Sequence, residues 1–158
     1  LSSWSAQQLR LRIDLLLKKL PEGSQLKGLH SFRVSAKQLR YVAELLQEFH
    51  PDKTTKQLLR LLANVQKKLG RLQDEAVAAK SVARLSSKVS KKQGKRLQHM
   101  SDSAKVAAES KAVELSSWLN EKIVPELNRL AQTLDQSVRP APKSAKDRTS
   151  FKRTRTAT

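Results

Sequence analysis

Apolar residues recur along this chain at helical intervals, and strand-like alternation is almost absent. Leu9, Ile13, Leu16 and Leu20 share one face of a segment predicted as a first helix, Ala6 to Leu20, with serine caps among Ser2 to Ser5. Pro21-Glu22-Gly23-Ser24 reads as a turn. A second helix follows from about Gln25 to Phe49, and His50-Pro51-Asp52 breaks it. The third is predicted to start after a Thr54 or Thr55 cap and to reach about Leu85. Its Leu58, Leu62, Val65, Leu69, Leu72 and Ala76 alternate by four and three, the spacing of a helical bundle. Ser86 to Gly94 is rich in Ser and Lys and reads as frayed or looped. A fourth, long helix is predicted from about Lys95 to Gln136. Its first half has a small, mixed face of Met100, Ala104, Ala107, Lys111, Glu114 and Trp118. Its second half has a firmer one of Leu119, Ile123, Leu127, Leu130 and Leu134. Pro125 lies inside it and should kink it. The expected fold is all-α: an antiparallel bundle of about four helices over residues 1–138. A basic tail, 139–158, keeps no apolar period and is expected to be disordered.

Charge changes this picture from a bundle to a bundle with a partner. The chain has 32 Lys and Arg against 14 Asp and Glu, a net +18 and a pI near 10.7. Such an excess attracts anionic polymers. Residues 139–158 hold seven of the cations and one acid, so the helical body stays strongly basic without them. There is no cysteine, so no disulfide framework or thiolate metal site can form. No apolar run approaches the roughly 20 residues of a membrane span. The chain opens at Leu1, not Met, which suggests a piece of something longer. A cytoplasmic location is expected.

The second helix carries the candidate chemistry. At ~100° per residue, His30, Arg33, Lys37 and Arg40 fall in a stripe about 80° wide. Phe32, Ala36, Leu39, Ala43 and Leu46 form a second stripe about 120° from the first. One edge is built to be buried, and a row of cationic groups runs beside it. Such a row repels itself and needs a counter-charge, which an extended polyanion supplies. Arg offers a planar fork of donors to phosphate oxygens, and Lys a mobile point charge. Arg60, Lys67 and Arg71 repeat a similar spacing on the third helix and are candidates for an opposite wall. Tyr41 and Asp74 are expected to be structural, with Asp74 placed to hold Arg71 or Lys67. His30 reads as a phosphate donor or a structural histidine. His50 and His99 give it no ligand spacing, so no metal is expected. No glycine-rich phosphate loop, carboxylate pair or nucleophile with an adjacent base stands out, which points to a binding module without catalysis or cofactor.

The same residues resemble a family. His30-x-x-Arg33-Val34-x-x-Lys37-x-Leu39-Arg40-Tyr41, followed by Glu44-Leu45, is similar to the signature helix of the CHAD domain, the conserved histidine α-helical domain. Leu69-Gly70-Arg71-Leu72-Gln73-Asp74 is similar to the family's Leu-Gly-x-Leu-Asn-Asp segment. The resemblance covers roughly Leu26 to Val82. It implies an all-helical domain that binds inorganic polyphosphate along a basic channel and is often joined to a triphosphate-hydrolysing CYTH domain. Association with polyphosphate granules would follow. Gln38 and Gln73 depart from the pattern. A complete domain has two helical halves, and only one signature is present, of a form that looks more like the second half. The chain therefore reads as half of a channel, completed by a second copy or by a missing half. Two other classes compete. One is a nucleic-acid binder with a basic C-terminal arm, weakened by the single aromatic, Phe151, interleaved there for stacking. The other is a bundle whose charge serves only solubility or an acidic protein partner.

Overall fold

The computed structural model describes residues 2–138. The expected disordered tail lies outside the described residues. Five α-helices form four rods: α1 (Ser3–Leu17), α2 (Leu26–Phe49), α3 (Lys53–Ser86), α4 (Lys91–Trp118) and α5 (Val124–Val138). A π turn (Leu119–Ile123) joins α4 to α5 in one continuous rod. The fold is all-α, and no strand occurs among the described residues.

Local chemistry sets the boundaries. Ser2 caps α1, its hydroxyl accepting from the Ser5 amide at 3.2 Å. This early cap places α1 three residues ahead of the expected Ala6 to Leu20. Leu20, beyond the helix end, is only partly buried. The cap of α3 is Asp52 and neither of the expected threonines. Its carboxylate accepts from the Thr54 and Thr55 amides at 2.8 and 3.1 Å. An ionised acceptor suits the positive end of a helix better than a hydroxyl does. The loop expected over Ser86 to Gly94 is shorter, because α4 already begins at Lys91.

A wide turn accommodates Pro125, the residue expected to kink the rod. Proline has no N–H to give the Glu121 carbonyl. The chain widens just before it: the Val124 amide donates to the Leu119 carbonyl, five residues back. The wide turn absorbs the proline and rephases the apolar face. Upstream of the turn the buried positions are Ser101, Ala108, Ala112 and Ser116. Of the expected face, Met100, Ala107, Lys111 and Glu114 are exposed, while Ala104 and Trp118 are partly buried. Small side chains decide this face, because α4 must pass close to its neighbours. Downstream, Leu119, Ile123, Leu127, Leu130 and Leu134 are buried as expected.

One core joins all four rods, with Leu9, Ile13 and Leu16 of α1 meeting Phe32, Leu39 and Leu46 of α2 and the leucines of α3 and α5. Pairs at the rim hold the outer helices. Arg10 donates to Asp135 at 2.9 Å and also pairs with Asp14; these carboxylates raise its pKa further. Arg129 grips Glu126 on α5 and holds that carboxyl below its usual range. No helix is long and apolar enough to cross a membrane, among the described residues.

Phe32 is fully buried at the centre of this core. Phe32→Ala should destabilise the bundle by about 3–5 kcal/mol, read from urea unfolding followed by circular dichroism. Asp52→Ala should cost about 1 kcal/mol in the same measurement.

Candidate polyanion-binding face

The rotation of α2 is set by its core stripe. Burying Leu29, Phe32, Ala36, Leu39, Ala43 and Leu46 leaves the cationic stripe at the edge that faces α3 and solvent. Within that stripe the four groups differ. His30 and Lys37 are exposed, while Arg33 and Arg40 are half-buried against α3.

Arg33 lies along the backbone of α3 at Gly70. A Cβ added there would sit 3.7 Å from Nε and 3.8 Å from Nη2 of Arg33. Any longer side chain would take the space the guanidinium occupies. The Arg33 Nε is buried without a hydrogen-bond partner, and no ion pair engages Arg33 among the described residues. Its charge is thus held in place with no acid to neutralise it. Arg40 is braced on both sides: Nε donates to Glu44 at 2.7 Å and Nη1 to Gln66 of α3 at 3.1 Å. The Lys37 ammonium stands 5.5 Å from the centre of the Tyr41 ring, a cation–π contact that orders an otherwise free side chain. Tyr41 itself is exposed.

Arg60, Lys67 and Arg71 are all exposed on α3. Helical geometry puts them on the outer side of α3, with Lys67 nearest the seam that Gln66 and Gly70 make with α2 and Arg71 turned furthest from it. No ion pair joins Asp74 to Arg71 or Lys67 among the described residues. Asp74 instead stands exposed on the α3 side of the seam, next to Glu75. Sequence reasoning missed the two α3 residues that shape the row, Gln66 and Gly70. Gly70 was visible as part of a motif, but its role depends on a contact between two helices that no spacing rule reveals. The face is an open surface, and the clefts nearby lie elsewhere: one of about 420 Å³ opens between α1 and α2 at Arg12, Leu15 and Gln38. Among the described residues no group of three or more His, Asp or Glu is placed to hold a metal ion.

Gly70 provides a clean test of this geometry. Gly70→Ala places its methyl at ordinary contact distance and removes a mid-helix glycine, so stability should rise by up to about 1 kcal/mol. Gly70→Leu should forfeit that gain, because it must displace the Arg33 guanidinium. Urea midpoints of the two variants check both outcomes.

The matched region of known sequence families fits this arrangement. The CHAD domain model matches residues 2–83, which span α1, α2 and α3 to within three residues of its end. No curated protein and no solved structure matches the chain. A match over more than half of the length, carried by the helices that build the cationic row, shows that this chain belongs to the CHAD domain family.

Proposed function

We propose that this protein is a binding module for inorganic polyphosphate and that α2 presents the binding row. The observation that carries this reading is the row of His30, Arg33, Lys37 and Arg40, in which only Arg40 has an acidic partner among the described residues. Family membership points the same way. Groups at these spacings stand ~4.5–6 Å apart along the helix, which suits contact with about every second phosphate of an extended chain. Arg33 and Arg40 are pre-ordered by Gly70 and Gln66, so little side-chain freedom is lost on binding. Lys67, Arg71 and Arg60 add potential from the neighbouring helix. The protein acts by binding and holds no reacting group in this scheme.

Titration calorimetry at two salt concentrations tests the reading. Affinity for long-chain polyphosphate should fall steeply with salt, as counter-ion release requires. Replacing Arg33, Lys37 and Arg40 together by Gln should weaken binding by roughly two to four orders of magnitude, at ~1–2 kcal/mol per charge-assisted contact. Deleting residues 139–158 removes more charge, seven cations and one acid, yet should cost less. If that deletion proves the more damaging, and duplex DNA competes on equal terms, the basic C-terminal residues are the site and the ligand is nucleic acid.

A single signature in a family of two-halved domains supports a second proposal: a second copy of the chain completes the channel. Light scattering should show a dimer, or a monomer that pairs when polyphosphate is added. A monomer under both conditions rules that out.

A further inference from the structure

α3 and α4 outrun the rest of the bundle. α2 begins at Leu26, which shares a cleft of about 370 Å³ with Ala76, Ala79 and Lys80 of α3 and Ser101 and Lys105 of α4. Past that level only two helices continue. Residues 80–86 of α3 and 91–100 of α4 include no buried side chain. The arm they make is tied at its base, where the Ser101 hydroxyl donates to the Ala79 carbonyl at 3.1 Å. It is closed at its tip by Gly94, where a Cβ would come within 2.7 Å of the Ser86 carbonyl oxygen. Only glycine allows the two backbones this close. At 1.5 Å per residue the arm projects about 15 Å.

Its charge is unpaired among the described residues. Between Glu75 and Asp102 the chain has seven Lys and Arg and no acid. None of the seven forms an ion pair within the described residues. With no acid to meet among the described residues, they repel one another in the free protein. Their position is specific. Arg84 is eighteen residues beyond Gln66, which is five full turns, so both stand on one face of α3 about 27 Å apart. Over the first ~15 Å of that interval α2 lays Arg40, Lys37, Arg33 and His30 alongside. Where α2 ends, Arg84 and then Lys88, exposed neighbours lining one shallow cleft, continue the line.

We propose that the α3–α4 arm is a second contact segment for the same polyanion, so that the protein prefers long polyphosphate chains to short ones. The inference rests on the polyphosphate reading above. A short chain fills the α2 row, and a long one runs on past Leu26 and along the arm. Each added contact is then intramolecular, at high effective concentration, and affinity rises with chain length until the arm is covered.

The test compares polyphosphate of about six residues, which a row of ~15 Å accommodates, with chains of about thirty. The arm variant combines Arg84→Gln, Lys88→Gln, Lys91→Gln and Lys95→Gln. A charge-matched control combines Arg12→Gln, Lys53→Gln, Lys56→Gln and Lys122→Gln, four exposed cations away from the line. Circular dichroism confirms that all are equally helical. The arm variant should lose at least tenfold in affinity for the long chain and less than twofold for the short one, while the control loses less than threefold for either. Equal losses in arm and control variants would reduce the arm to bulk charge and overturn the inference, as would an arm variant weakened equally on both lengths. An arm variant that loses duplex DNA but keeps long polyphosphate would overturn it in favour of a nucleic-acid contact. Wild-type protein that binds neither length would instead sink the polyphosphate reading itself, and the inference with it.

Discussion

Everything at the candidate site depends on the rotation of α2 about its own axis. Six buried apolar residues, Leu29 to Leu46, define that rotation. Each buried large side chain stabilises the bundle by roughly 1.5–3 kcal/mol. Opposing this, neighbouring cations about 6 Å apart in water repel by about 0.7 kcal/mol per pair. The core wins by a wide margin, so the protein can hold a self-repelling row in place without a ligand. Turning α2 by one residue would relieve no repulsion and would expose Phe32.

The seam with α3 converts that row from a loose fringe into an organised surface. Gly70 leaves room for the Arg33 guanidinium, and Gln66 accepts from Arg40. Glu44 shares Arg40, so on the proposed reading a phosphate there would compete with a carboxylate already present. Arg33 has no acidic partner among the described residues. Contacts of this kind matter more to affinity than charge alone, because ordering a free Lys or Arg on binding opposes association.

The α3–α4 pair shows a second use of small residues. Ala79, Ala108 and Ala112 are buried where these helices approach one another and the bundle. Glu75 and Lys111 clasp across them at 2.6 Å, and the Lys68 ammonium stands 4.4 Å from the centre of the Trp118 ring. These surface contacts are individually weak. The register of these two long helices is set mainly by the close packing of the small residues, and these contacts add to it at the surface.

The sequence by itself determined the all-α class, four rods, most of the core and the cationic stripe on α2. It could do so because helical period is a local property: Leu58, Leu62, Val65 and Leu69 declare their shared face without reference to any neighbour. The same local logic misplaced the first half of the long rod. Met100 and Glu114 sit at plausible intervals, but the face that packs is chosen by which side chains are small enough for a close neighbour, Ser101, Ala108 and Ala112. The cap at Asp52 and the wide turn before Pro125 were likewise decided by which of several local solutions the packed bundle accommodates. Only the tertiary structure could show that Gly70 makes room for Arg33, that Gln66 holds Arg40, and that α3 and α4 extend past α2 as a basic arm. These are relations between residues dozens of positions apart. They depend on the register in which one helix meets another, which the packing of the whole core sets.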